Sequence, residues 1–180
     1  MREFHMKKNT LIILIISLSI FLVIGLLLIR VILSDSRSYH QTFTKSTDLS
    51  NENIEGLYLN DNINSEKVVS KYGEISKPSQ DNNLYNYYYL TKNIEIATNK
   101  NDSKIIRFCV DDENLRTEKG VSIGDSKEKA INLYGKNYYT RIEQGVEIIG
   151  YVDKEKDCSI EFWLNEKGIF YIRFDYNYMV

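Results

Sequence analysis

Residues 11–29 carry no charge, and all but Ser17, Ser19 and Gly25 are Leu, Ile, Val or Phe. About 20 apolar residues at 1.5 Å rise cover a hydrocarbon core of about 30 Å, so the run predicts a transmembrane helix. If Arg30 snorkels to the interface the span extends over residues 11–33. A helix apolar all round at this length does not fit an amphipathic element packed on a soluble core. Residues 34–55 are rich in Ser, Thr and Asn without sustained periodicity, which predicts a flexible tether and a folded unit starting near Gly56. Beyond it, Val68, Val69 and Tyr72 recur at helical spacing over residues 66–72 and are followed by Gly73, suited to a left-handed helix end. Residues 128–134 repeat the arrangement with Ala130, Ile131 and Tyr134 before Gly135, with Asp125 predicted to cap and Glu128 to reach back. A loop and a strand follow each helix, residues 84–91 and 146–152.

Each of these strands leads into a hairpin, and the two hairpins echo one another. Residues 160–174, IEFWLNEKGIFYIRF, match residues 94–108, IEIATNKNDSKIIRF, without a gap, 66 positions apart. With residues 99–103 as the first turn, Glu95 faces Arg107, Ile96 faces Ile106 and Ile94 faces Phe108. In the second copy Glu161 faces Arg173, Phe162 faces Ile172, Trp163 faces Tyr171 and Ile160 faces Phe174. Side chains alternate across a strand, so each hairpin has an apolar face and a face bearing a Glu/Arg pair. The expected fold is α+β: an N-terminal transmembrane helix, then a tandem αβββ repeat forming one antiparallel sheet with both helices covering its apolar face. Its expected divisions are a tail (1–10), the anchor (11–33), the tether (34–55) and modules 56–118 and 119–180.

Charge adds a direction. Arg2, Lys7, Lys8 and Arg30 stand against Glu3 before residue 35, leaving 19 basic and 24 acidic residues afterwards, a net of −5. An acidic module without a basic run lacks the clustered cations that nucleic-acid binding needs. The count of basic residues is even on the two sides of the span, but the Lys7-Lys8 pair abutting it favours a cytoplasmic N-terminus and an extracytoplasmic module. The apolar run exceeds the usual 7–15 residues of a signal-peptide core, which favours an anchor over a cleaved leader. No cysteine stands directly after the span, so lipoprotein processing is excluded. Cys109 and Cys158 fall in predicted strands, Cys109 on the Arg107 face and Cys158 on the apolar one, which argues against a disulfide. The wealth of Lys, Asn, Ile and Tyr fits an AT-rich bacterial genome.

Candidate chemistry is sparse. His5 and His40 both lie outside the expected modules, which removes His-based nucleophilic catalysis and His-based zinc sites from the fold. The turn Gly120-Val-Ser-Ile-Gly124-Asp125 places a carboxylate where a phosphate loop needs lysine. Residues 60–64 and 99–103 lack the glycine and closing glutamate of a calcium loop. No cofactor and no metal are expected. An arginine opposite each hairpin glutamate lowers its pKa, the wrong direction for a general acid. What remains is aromatic: Tyr85, Tyr87 and Tyr89 share one strand face, and Trp163 with Tyr171 sits on the Glu161/Arg173 face. Aromatics beside arginine are what protein-binding surfaces favour. The candidate binding residues are therefore Trp163, Tyr171, Glu161, Arg173, Tyr85, Tyr87, Tyr89 and Arg107.

The turn Gly120-Val-Ser-Ile-Gly-Asp-Ser-Lys-Glu-Lys129, the helix end Leu133-Tyr134-Gly135 and the following meander resemble the repeat of the β-lactamase inhibitory protein and of SmpA/OmlA-type envelope lipoproteins. The resemblance covers residues 56–178 as two copies, the first departing with Leu59-Asn60-Asp61 in place of Ile123-Gly124-Asp125. It implies an extracytoplasmic, non-enzymatic module whose open sheet face grips a partner protein, without naming that partner. The expectation is thus a membrane-anchored interaction module that binds a protein or envelope component. A carboxylate-dependent envelope enzyme and a structural or sensory ectodomain are the alternatives.

Overall fold

A computed structural model describes residues 8–34, 36–75, 77–82 and 84–179. The expected tail, residues 1–10, lies outside the described residues through residue 7. Helix α1 (Lys8–Ser34) contains the apolar run, and its segment Thr10–Leu28 has mean hydropathy 3.3 with none of it buried. It is long and apolar enough to cross a membrane. After Asp35 and Ser36 comes a second helix, α2 (Arg37–Phe43), where the sequence predicts a tether. Ser36 caps it by accepting a hydrogen bond from the Tyr39 amide at 3.2 Å.

The rest of the expected tether is packed too. Leu49, Ile54 and Leu57 belong to the main core, and the Thr47 amide donates to the Val152 carbonyl at 2.7 Å. The folded unit therefore begins at Arg37 and not near Gly56. Sequence polarity misled here because polar side chains in this stretch satisfy turns. Asp48 accepts from the Ser50 amide, and Asn53 from that of Gly56.

Helix α3 (Glu66–Tyr72) and helix α4 (Lys127–Tyr134) form where expected, each ended by a glycine of positive φ, Gly73 at 79° and Gly135 at 94°. The cap of α4 differs from the expected one. Ser126 accepts from the Lys129 amide, while Asp125 accepts from the Ser122 amide within the preceding turn.

The strands are β1 (Gln80–Asp81), β2 (Tyr85–Thr91), β3 (Ile94–Asn99), β4 (Ile105–Val110), β5 (Tyr139–Glu143), β6 (Val146–Asp153), β7 (Cys158–Asn165) and β8 (Gly168–Tyr176). They make one eight-stranded sheet in the order β1-β2-β3-β4-β8-β7-β6-β5, with every named pair antiparallel. The loops expected after the helices each contain an additional strand, β1 and β5. Val68 of α3 and Ala130 and Tyr134 of α4 share one core cluster with Ile94, Ile96, Phe108, Ile160, Phe162, Ile172 and Phe174.

The register expected for the second hairpin is the one observed, from Ile160 opposite Phe174 to Trp163 opposite Tyr171. The first hairpin is displaced by two residues: Glu95 faces Cys109, Ile96 faces Phe108 and Ala97 faces Arg107. Its loop is longer, with Lys104 drawn into a bridge to Asn62 outside the sheet. The expected Glu95/Arg107 pair is therefore not formed, and Ile-Arg-Phe occupies different positions in the two hairpins.

Candidate functional site

The face opposite the main core is organised around two carboxylates, Glu161 of β7 and Asp175 of β8, both fully buried. Alternation along β7 puts Ser159, Glu161 and Trp163 on this face, and along β8 it puts Tyr171, Arg173 and Asp175 there. Pairing of β8 with β4 then sets Arg107 opposite Asp175 and Cys109 opposite Arg173.

Glu161 is surrounded by donors. Arg141 of β5 reaches Oε1 at 2.9 Å and Oε2 at 3.1 Å, Arg173 reaches Oε2 at 2.5 Å, and Arg37 of α2 lies 3.2 Å from Oε1. The Tyr139 hydroxyl donates to Oε1 at 2.6 Å. To get there the Tyr139 ring crosses the strand over Gly150, its partner in β6, and a Cβ on Gly150 would overlap that ring. This glycine is required for close approach, not for backbone conformation.

Arg37 forks onto both oxygens of Asp175 and also donates to Ser159 Oγ at 2.9 Å and to the Met179 carbonyl at 2.7 Å. Arg107 holds Asp175 Oδ2 at 2.8 Å and donates to the same Met179 carbonyl at 3.0 Å.

Burial alone would push Glu161 up, but Arg37, the Arg141 hydrogen bond and Arg173 outweigh it and hold the carboxyl well below the usual carboxylate range. Burial likewise opposes the charge of Arg37, and Asp175 with Glu161 overcomes that and raises its pKa. Tyr139 is pushed up by burial and by the neighbouring Glu161 charge. Each group is thereby fixed in one protonation state at neutral pH, and the cluster behaves as a structural clamp. A general acid needs the opposite tuning.

The sequence-derived candidates divide accordingly. Glu161, expected on an open face, is fully buried, and Arg173 and Arg107 are largely spent on ion pairs. Tyr85 and Tyr87 are half-buried against a small second core of Ala97, Ile106 and Met179. Tyr89 is exposed beside Glu95, its partner in β3.

Trp163 and Tyr171 do come together, edge to face at 5.5 Å, with the Arg173 guanidinium 5.7 Å from the Trp163 ring. Trp163 is half-buried, and its indole N–H, turned away from solvent, has no hydrogen-bond partner among the described residues. Beside this group, Tyr89, Lys92, Asn93, Glu95, Cys109, Asp111 and Tyr171 line a depression of about 190 Å³.

Residues missing from the sequence-derived set are Arg37, Tyr139, Arg141, Ser159 and Asp175. Asp175, two positions after Arg173, was visible as a second charge on the same face. Arg37 left no signal, because its partners lie more than a hundred positions away. Among the described residues no group of three His, Cys, Asp or Glu is placed to hold a metal ion.

No protein-family model and no curated protein matches the chain. Solved structures that are similar in part include the following three. An extracellular protein containing an SCP domain from Bacillus anthracis has TM-score 0.46 and 10% identity, covering 66% of this chain and 44% of its own. A cysteine-rich secretory protein from Staphylococcus aureus has TM-score 0.45 and 16% identity, with 71% and 47% covered. A DUF4309 family protein from Bacillus subtilis has TM-score 0.39 and 13% identity, with 61% and 76% covered. The chain spans less than half the length of the first two.

Proposed function

We propose that this chain is a single-pass membrane protein with a cytoplasmic N-terminus. Its extracytoplasmic module binds another protein or a cell-envelope component and catalyses no reaction. The observation that carries the reading is the Trp163–Tyr171 pair beside Arg173. A tryptophan committed to a core normally satisfies its indole N–H, whereas this one shows part of its ring to solvent, packs against a cation and leaves its buried N–H unsatisfied. Rigid aromatic anchors next to arginine are the residues that dominate binding energy at interfaces. The fixed ionisation of Glu161 favours this reading over a carboxylate enzyme.

We further read the module as a tandem duplication with its helices on one face, akin to the inhibitory-protein and lipoprotein repeat. Matching contacts support it. Ile105 exchanges backbone hydrogen bonds with Asn60 and Asp61, and Ile169 does so with Gly124 and Asp125. Asp61 and Asp125 each accept the amide three residues earlier. A register shift follows Ala97 in one hairpin and Trp163, 66 positions later, in the other.

The test is capture from envelope membranes of the parent cells by the full chain and by Trp163→Ala, which leaves the ion-pair cluster intact. The variant is expected to keep the wild-type melting curve and lose the captured partner. Equal capture by both proteins rejects the site. Protease digestion of the module only after cell lysis rejects the extracytoplasmic placement.

A further inference from the structure

Helix α2 is amphipathic in an unusual sense. One side is bolted to the sheet through Arg37 and Gln41, both buried, while the other carries Phe43, 69% exposed, its ring tilted against that of Tyr39 at 4.6 Å. An exposed phenylalanine on a helix that already has a satisfied inner face is unfavourable in water. Nearby, Tyr178 is also exposed, stacked on Tyr176 at 5.5 Å, and it shares with Ser38 and Thr42 the border of an open depression of about 440 Å³. Lys154 donates to the Thr42 carbonyl at 2.8 Å, so a cation sits at the same end of the module.

The chain itself says what lies next to this surface. Only Asp35 and Ser36 separate α1 from α2. At 3.3–3.6 Å per extended residue, Arg37 stays within about 10 Å of the end of α1. The headgroup layer on each side of a bilayer is about 5–8 Å thick. With α1 across the membrane, α2 has no room to leave that layer's neighbourhood, and the Arg37 clamp brings the sheet with it.

We propose that α2 lies on the headgroup layer of the membrane that α1 crosses, with Phe43 and Tyr39 inserted at the lipid interface and Lys154 directed to lipid phosphates. The module is then seated on the bilayer instead of ranging above it on a tether. Aromatic rings at the headgroup level and lysines reaching phosphate are what such an interface selects. The inference rests on the reading of α1 as a membrane span.

The experiment uses the full chain in vesicles of phosphatidylcholine brominated on the acyl chain near the glycerol, with Trp163, the one tryptophan, replaced by phenylalanine. Single reporters are then introduced as Phe43→Trp on α2, Leu28→Trp near the α2 end of α1 and Leu133→Trp on the exposed side of α4. Bromines quench on contact, so the α1 and α2 reporters should each lose about half of their fluorescence and the α4 reporter almost none. Quenching at α1 without quenching at α2 overturns the seating and leaves the anchor standing. No quenching at α1 overturns the anchor, and the seating with it. Equal quenching at α2 and α4 also overturns the proposal, because contact would not be confined to the α2 side.

Discussion

Arg37 grips both oxygens of Asp175, 138 positions further along the chain, in a buried pair. One residue just past the apolar helix is thereby joined to the central strand of the sheet. Removing a partner from a buried pair leaves an uncompensated charge, at a cost of about 3–5 kcal/mol. Asp175 keeps Arg107 and Glu161 keeps Arg141 and Arg173. Arg37→Met is therefore expected at the low end, about 3 kcal/mol. Amide exchange in α2 should accelerate more than in β7 or β8, measured by hydrogen–deuterium exchange. Uniform acceleration across the sheet would show that α2 has no separate clamp.

Gly150 tests the other side of the same cluster. In Gly150→Ala the new methyl meets the Tyr139 ring, which cannot move without surrendering its bond to Glu161. Overpacking of this kind costs about 1–3 kcal/mol. In a Tyr139→Ala background the same substitution should cost much less, and a double-mutant cycle from urea unfolding reads the difference. Additive effects would mean that the ring's passage over Gly150 is not what the glycine serves.

Two buried glutamates should give opposite responses to pH. The folded-state pKa of Glu161 lies below its unfolded value, so its contribution is present above about pH 4.3 and is lost as pH falls through the lower range. Glu52 is buried, accepts from the Tyr134 hydroxyl at 2.6 Å and has its pKa raised by burial. Its contribution is present below the unfolded value and lost as pH rises through the folded one. Glu161→Gln should thus destabilise at pH 7 and converge on wild type in acid. Glu52→Gln should be neutral or stabilising at pH 7 and lose that advantage near pH 4. Thermal melts across this range decide both.

The thiols offer a direct chemical check. Both cysteines are free, Cys158 in the main core and Cys109 on the opposite face. Burial pushes the Cys109 thiol up to about 11 and that of Cys158 up to about 12. At pH 8 the Cys109 thiolate fraction is then about a thousandth, so alkylation in the folded protein should be about two orders of magnitude slower than in urea. Mass spectrometry should find two alkylated sites after unfolding without reductant. A single disulfide-linked species would contradict the opposed faces.

How much of this was legible in the sequence follows from the range of each interaction. The apolar helix, α3, α4 and the second hairpin are local patterns, and their expected positions agree with the structure to within three residues. The two-residue turn Glu166-Lys167 before Gly168 leaves the second hairpin little freedom of register. The first hairpin lacked such a pin, and the gapless match of Ile-Arg-Phe suggested a register that its longer loop does not allow. Strand β5 was hidden because Thr140 and Ile142 are exposed, so its alternation carries polar and charged residues inward, Tyr139 and Arg141. The ion-pair cluster draws on α2, β4, β5, β7 and β8, and its geometry exists only once β8 lies between β4 and β7.

That position of β8 also sets a timetable. It is the last strand described, yet it is flanked on both sides, so during synthesis β4 and β7 each present a bare hydrogen-bonding edge until residues 168–176 arrive. A chain stalled before Gly168 holds two unjoined half-sheets, each an invitation to pair with a neighbour. Completion is a single closing event in which one strand seals both halves and delivers Asp175 to Arg37. Removing β8 should therefore cost the whole assembly and not an edge of it.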